Sequence, residues 1–341
     1  MNSPDQEPDG FAGLSREAFF HSGSPFRLLS PSFDRKEWFR LEKRNLRTAL
    51  ALWGVTFLAC TYSGLLWYHE FILQSEGQAR AAEINQSPWA ILHGLPFALG
   101  ILFILGSHEM GHFLACRHYG MWCTPPFALP FPLPWLPSFG TAGAFIKIKQ
   151  PFLDRRRLFD VGIAGPLAGF VAAIPVLAAG ILLSRPAIPI PAPSGAEGGG
   201  GVLYIGDSLL IHLGFSLRFE SGVIAAHPLY WAAFFGFLAT SLNLLPMGQL
   251  DGGHIVYAVF GPRVHRWVTW VAFSALVGVS VLSWPAAGYL FFAGILLALR
   301  IYRHPPPLVP GEIPGRLRPA LAVAALLILV LTFIPVPFYL E

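Results

Sequence analysis

Long apolar runs constrain this chain more than any other feature of its sequence. Hydrophobic residues make up 54% of the 341 residues, and charged residues make up only 12%. That charged fraction is about half of the roughly 25% that soluble domains carry. Because about 20 consecutive apolar residues suffice to cross a bilayer as a helix, the sequence predicts an all-α polytopic membrane protein.

Seven apolar runs are candidate transmembrane helices, so about seven spans are predicted. Their ranges are 48–68, 89–114, 158–184, 229–246, 267–284, 286–299 and 320–340. The stretch 120–151 is not one of them, because no continuous helix tolerates its many prolines. Within it, residues 141–149 are typical of a short strand, and we expect a membrane-associated β-hairpin or strand there. This strand either receives an extended peptide at its edge or merely connects two spans, and the sequence leaves both interpretations open.

Four regions follow from this pattern. Residues 1–47 are predicted to be a cytoplasmic segment, disordered at first and then basic and amphipathic. Residues 48–88 hold the first span and an outer loop, and residues 89–260 form the central region. A flexible outer loop is expected at 185–228, where proline and glycine are dense. Residues 261–341 supply the C-terminal transmembrane helices.

The distribution of basic residues predicts the orientation. With a cytoplasmic N-terminus and seven spans, only Arg80, Arg185 and Arg218 of the 23 Lys and Arg residues face outward, as the positive-inside rule demands. The formal net charge of +4 therefore reflects residues that flank spans, and no nucleic-acid partner is implied. The lipid bilayer is the predicted surrounding.

The segment 107–112 reads Ser-His-Glu-Met-Gly-His and lies near the end of the second apolar run. On a helix, His108 and His112 are four residues apart and share one face, where two imidazoles can bind one zinc ion. Glu109 lies beside them, where a general base is needed. By chance, an H-E-x-x-H occurs in roughly one such chain in a hundred, and ionisable groups at membrane depth mark functional sites.

A second polar segment follows the fourth apolar run, where Pro246 and three glycines break the helix. It carries Asn243 and Asp251. Asp251 is explained either as the N-cap of the next helix or as the third metal ligand that a zinc site needs, and we favour ligation. In the predicted topology both polar segments lie near the cytoplasmic side, so His108, His112 and Asp251 can meet.

These two motifs, together with Gly140-Thr-Ala-Gly143 and Gly162-Ile-Ala-Gly-Pro166, resemble the site-2 protease family of intramembrane zinc metalloproteases, in particular its bacterial, cyanobacterial and chloroplast members. The resemblance covers roughly residues 90–260. It implies a three-helix metalloprotease core with one Zn²⁺ per chain, bound by His108, His112 and Asp251. It also implies that Glu109 activates water and that Asn243 holds substrate near the metal.

The implied reaction is hydrolysis of a peptide bond in or near a transmembrane segment, as in regulated intramembrane proteolysis. The expected partner is a single-span membrane protein, such as an anti-sigma factor or another membrane-tethered regulator. Such a segment must unwind before cleavage, and the strand with Gly140, Thr141, Gly143 and Phe145 is expected to bind it by β-addition. The implied location is a bacterial inner membrane, with the active site near the cytoplasmic side.

Two functions of other classes remain as alternatives. A zinc or other metal transporter also places His and Asp within spans, but it needs a polar path across the bilayer. A catalytically silent scaffold would be expected to lose the glutamate or a ligand, and this chain keeps all four residues.

Overall fold

The fold is given by a computed structural model. It describes residues 35–131, 139–188, 203–220, 222–282, 288–302, 304–309, 315, 317–336 and 338–340. The predicted disorder of residues 1–33 and the predicted flexibility of residues 189–202 lie outside the described residues. Two compact units divide the chain, and Arg47–Glu341 is the one that holds the candidate site and its contacts.

Helices account for most of the described chain. In chain order they are α1 (Arg35–Glu76), α2 (Gln78–Gln86), α3 (Leu95–His118), α4 (Arg155–Leu183), α5 (Leu209–Ser216), α6 (Pro228–Leu244), α7 (Asp251–Leu282), α8 (Gly288–Ala298) and α9 (Leu317–Thr332). A 3₁₀ turn, Ala90–Gly94, leads into α3. Several starts have a chemical cause. For example, the Asp154 carboxylate accepts from the Arg157 backbone N–H and caps α4.

In the described part of the chain, the strands form three antiparallel pairs. They are β1 (Phe127–Phe131) with β2 (Gly140–Phe145), β3 (Arg185–Pro186) with β5 (Ile224–Ala225), and β4 (Leu203–Ile205) with β6 (Phe338–Leu340). The first pair is the β-hairpin predicted after the H-E-x-x-H helix. The outer loop that the sequence predicts at 185–228 also contains the helix α5.

Among the described residues, four helices are long and apolar enough to cross a membrane: Glu42–Glu76, Ala90–His118, Arg155–Leu183 and Asp251–Leu282. Large apolar side chains on two of them face outward, with Leu58 68% and Phe103 55% exposed, as lipid contact requires. The chain is an integral membrane protein. The predicted total of seven spans stays a prediction, because α6, α8 and α9 have only 17, 11 and 16 residues.

Two C-terminal elements differ from their predicted ranges. The helix expected after Asp251 and most of the span predicted at 267–284 belong to one helix, α7, which bends at Gly261, where φ is +83°. The last helix ends at Thr332 instead of Leu340, three residues before Pro335, which lacks the N–H that a continuing helix would need.

The largest buried cluster lies where α3, α4 and α6 meet. It includes Phe97, Ile101 and Ile104 from α3 and the fully buried Phe234 and Phe237 from α6. Because α6 is enclosed by its neighbours, its apolar residues pack against protein. This arrangement brings the end of α6 close to the middle of α3.

The β1–β2 hairpin is fixed to α1. The indole N–H of Trp53 donates to the Pro126 carbonyl at 3.0 Å, and the Cys60 thiol lies 3.4 Å from the Phe139 carbonyl. Gly140, with φ of +71°, lies against the backbone of Ala59 and Cys60, where no side chain would fit. The hairpin is therefore held at both ends by the helix beside it.

Candidate metal centre

Two imidazoles face one point from the middle of α3. His108 and His112 lie one helical turn apart, their ring centroids are 5.0 Å apart, and both side chains are buried. The spacing of four residues alone puts them on one face. A buried pair of imidazoles within a span is costly unless it binds a charged partner.

That partner comes from the start of α7. The chain leaves α6 at Leu244, turns, and enters α7 at Asp251. The Asp251 Oδ2 atom lies 3.2 Å from Nε2 of His108 and 3.3 Å from Nε2 of His112. The two Nε2 atoms are themselves 3.2 Å apart. The structure thus brings together all three residues that the sequence predicts as ligands.

The three donor atoms have the spacing of a zinc site. Tetrahedral coordination with bonds of about 2.0–2.1 Å sets neighbouring ligand atoms roughly 3.3 Å apart, as observed here. Within the described part of the chain, no other group of three His, Cys, Asp or Glu side chains meets in this way. Three protein ligands leave one position for water or substrate, which is typical of catalytic zinc.

A backbone carbonyl orients one of the ligands. Nδ1 of His112 lies 2.7 Å from the Val161 carbonyl oxygen in α4. Because a carbonyl only accepts, Nδ1 carries the proton, and Nε2 is the ring atom that can bind a metal. Such outer contacts of ligating histidines set the ring orientation and tune the affinity for the metal.

Glu109 is buried beside the ligands, 7% exposed. Its carboxylate accepts a hydrogen bond from the backbone N–H of Ile146, the residue directly after β2. The end of β2 therefore contacts Glu109, the residue predicted to be the general base. A peptide aligned with β2 would extend toward this carboxylate.

Asn243, in the last turn of α6, also reaches the centre. Its Nδ2 atom lies 3.3 Å from Nε2 of His108. The side-chain amide offers both a donor and an acceptor at the edge of the ligand group, as a residue that holds substrate would require.

The four predicted strand residues have different environments. Gly140 packs on α1, and Thr141 is buried, its hydroxyl donating to the Leu129 carbonyl within the hairpin at 2.8 Å. Gly143 has open space around its Cα, and Phe145 is 42% exposed. Only the latter two face outward, while the first two shape the hairpin.

Sequence reasoning did not find the carbonyl of Val161 or the N–H of Ile146. Both are backbone groups, and any residue type could supply them, so no sequence signal marks them. The pair Gly165 and Gly169 did carry a signal, since small residues four apart let another helix approach closely. The helix that approaches is α3, and it does so at His108 and His112.

Comparison with known proteins agrees with this geometry. The profile of Peptidase family M50 matches residues 96–282. The chain is 33% identical over 250 residues to the probable zinc metalloprotease EGY1, chloroplastic, of Oryza sativa subsp. japonica, covering 71% of this chain and 40% of the relative. Identity is 32% to the Arabidopsis thaliana protein of that name and 31% to its probable zinc metalloprotease EGY2, chloroplastic.

The Arabidopsis alignments cover 71% and 72% of this chain and 43% and 42% of those relatives. The chain therefore spans about two fifths of the length of the relatives it matches.

Proposed function

This chain belongs to peptidase family M50, and on that premise we propose that it is an intramembrane zinc metalloprotease. Its substrate is a membrane protein, cut at a peptide bond within or near a transmembrane segment. The observation that carries the proposal is the convergence of His108, His112 and Asp251 within 3.3 Å of one another, beside the buried Glu109. The family match agrees with the resemblance found in the sequence, and the relatives' names agree with zinc.

The residues divide the chemistry between them. His108, His112 and Asp251 hold the zinc ion. When bound, zinc acts as a Lewis acid that polarises the scissile carbonyl and lowers the pKa of water to about 7. Glu109 accepts the proton of the attacking water and passes it to the leaving amine. The Asn243 side chain binds the substrate backbone next to the centre.

The hairpin supplies the path for the substrate. An unwound transmembrane segment loses its own hydrogen bonds. In lipid, each unsatisfied backbone group then costs roughly several kcal/mol. β2 pairs with β1 on one side, and no third strand joins this sheet among the described residues. A substrate strand added beside β2 would pass Gly143 and Phe145 and reach Glu109 at Ile146.

We place the N-terminus in the cytoplasm and the metal centre near the cytoplasmic side, because this orientation leaves only three basic residues outside. The proposed class of substrate is a single-span protein such as a membrane-tethered regulator. The matched relatives are named as chloroplastic, and the bacterial inner membrane remains a prediction from the sequence. Reporter fusions test the orientation: a reporter placed at residue 77 or 220 should be outside, and one placed at residue 120 should be in the cytoplasm.

The test of the proposed function uses Glu109→Gln, which removes the base and leaves the three ligands. We expect wild-type protein, co-expressed with a tagged single-span substrate, to yield a cut product that the variant does not yield. Both proteins should contain one zinc ion. Glu83→Gln, at an exposed glutamate of α2, is the matched control and should cleave normally.

Equal cleavage by Glu109→Gln and wild type would refute the proposal. Zinc uptake into vesicles that is lost in His108→Ala, without any cleavage, would instead support transport. Zinc binding with neither cleavage nor transport would support a scaffold.

A further inference from the structure

The metal ligand Asp251 follows a loop that is held in place by residues far along the chain. Residues 245–250 connect α6 to α7 and contain no regular structure. Because Asp251 is the first residue of α7, the position of its carboxylate depends on the position of the loop before it. The contacts of this loop therefore bear directly on the metal centre.

Both backbone polar groups of Gly248 are bound by side chains of α7. The Gly248 N–H donates to the Thr269 hydroxyl at 3.1 Å, and the Gly248 carbonyl accepts from Nε2–H of His265 at 3.0 Å. His265 and Thr269 are each 4% exposed. They lie four apart on one helical face, so both reach the same glycine.

This contact exists because α7 is bent. In one straight helix, Asp251 and His265 would be about 21 Å apart. At Gly261, φ of +83° and ψ of 179° break the helix and turn its second half back toward the loop. The helix that begins with the metal ligand thus holds the loop that precedes it.

A second contact comes from the segment after α8. The Gln249 N–H donates to the Ile301 carbonyl at 2.9 Å, and Gly248 lies so close to that carbonyl that no side chain would fit. In the first turn of α7, Nδ1 of His254 lies 2.8 Å from Nε2 of His304. These contacts add to those of His265 and Thr269.

We propose that His265 and Thr269 are positioning residues: by binding the Gly248 peptide they hold Asp251 in place for the metal. Neither touches the metal ligands. Their effect passes through the short turn between Gly248 and Asp251, and Gly253 in the first turn of α7 packs on the Gly248 carbonyl. The inference rests on the proposed function in one respect, namely that Asp251 is a ligand.

The test measures zinc affinity of the full-length protein in detergent, by competition with a chromophoric chelator. Thr269→Val and His265→Leu remove the hydrogen bonds and should each weaken zinc binding about 10–100-fold, the range for outer contacts of a metal site. Thr269→Ser keeps the hydroxyl and His265→Gln keeps an N–H near Nε2, so both should stay within about threefold of wild type.

Thr332→Val is the matched control, because Thr332 is fully buried in α9 and its hydroxyl bonds only to the Ile328 carbonyl. It should bind zinc as wild type does. Thermal unfolding of the metal-free proteins shows whether each variant is folded. If Thr269→Val is unfolded, the zinc affinity of His265→Leu is compared with that of His265→Gln and Thr269→Ser. The inference then requires that only His265→Leu binds zinc more weakly than wild type.

A double-mutant cycle tests the route through Asp251. In an Asp251→Ala background, Thr269→Val should no longer weaken zinc binding. Folded variants with wild-type affinity, or an equal loss in both backgrounds, would overturn the inference and leave the proposed function intact. If Asp251→Ala itself bound zinc like wild type, the ligand role and the inference would both fall.

Discussion

The backbone of Gly165 lies directly against Nε2 of His112, so that a β-carbon at position 165 would overlap the imidazole ring. One turn further along α4, a β-carbon on Gly169 would stand 3.0 Å from the β-carbon of His108. Both glycines thus leave room for the two side chains of α3 that we propose as metal ligands.

Gly165→Ala should therefore displace His112 and weaken zinc binding about 5–150-fold, since overpacking a tight contact costs about 1–3 kcal/mol. Gly169→Ala should have a smaller effect in the same direction. Chelator competition measures both. Gly54→Ala in α1, where nothing lies within 4 Å of the added carbon, should leave zinc binding unchanged, and a similar loss there would contradict this explanation.

Asn243→Ala should separate cleavage from metal binding. Losing a polar group that contacts the reacting centre typically costs about 100–1,000-fold in rate, and we expect a decrease of at least tenfold in cleavage with zinc content unchanged. Ser241→Ala, two residues away on the same helix and bonded to the Leu238 carbonyl, serves as the control. Loss of zinc from Asn243→Ala would argue for a structural role instead.

A bidentate ion pair between Arg318 and Asp160 joins the C-terminal helix α9 to α4. Nε and Nη2 of Arg318 each donate to a carboxylate oxygen of Asp160 at 2.7 Å, and the Tyr119 hydroxyl donates to the same carboxylate. The pair is mostly buried, with side chains 16% and 22% exposed.

Arg318→Ala should lower the free energy of unfolding by about 1–3 kcal/mol, because it leaves a buried carboxylate short of donors. Arg318→Lys should recover only part, since an ammonium cannot form the paired contact. Thermal unfolding in detergent measures both changes. Arg80→Lys, at a half-exposed pair, should change stability by less than about 0.5 kcal/mol, and equal effects at the two sites would disprove this account.

His227 should make stability depend on pH. Burial and the nearby Arg185 lower the pKa of His227 to about 4, against about 6.5 in an unfolded chain. Its Nδ1 accepts from the Leu229 N–H and caps α6, so the folded state needs the neutral ring. Below pH 6.5 the unfolded state binds more protons, and stability should fall by up to about 3 kcal/mol as the pH approaches 4.

His227→Asn keeps a side-chain acceptor at the cap and removes the titrating group. Unfolding of both proteins between pH 7.5 and roughly 4 should give a smaller slope for the variant. Identical slopes would show that other groups cause the acid sensitivity.

The sequence by itself determined what depends on short spacing. Four residues along a helix place His108 and His112 on one face whatever surrounds them, and the proline-rich stretch after them excludes a span. The pairing of this motif with the segment around Asp251 was enough to predict the family, which the profile match confirms. Apolar runs and charge also predicted that Asp251 would reach the depth of the histidines.

Only the tertiary structure decided the contacts that orient the centre. The Val161 carbonyl, the Ile146 N–H and the Gly248 peptide act through backbone atoms, which every residue type carries. Apolar composition likewise cannot separate the enclosed α6 from a helix that faces lipid, because both surroundings favour the same residues. The bend at Gly261 depends on one backbone conformation, and it alone brings His265 to the loop before Asp251.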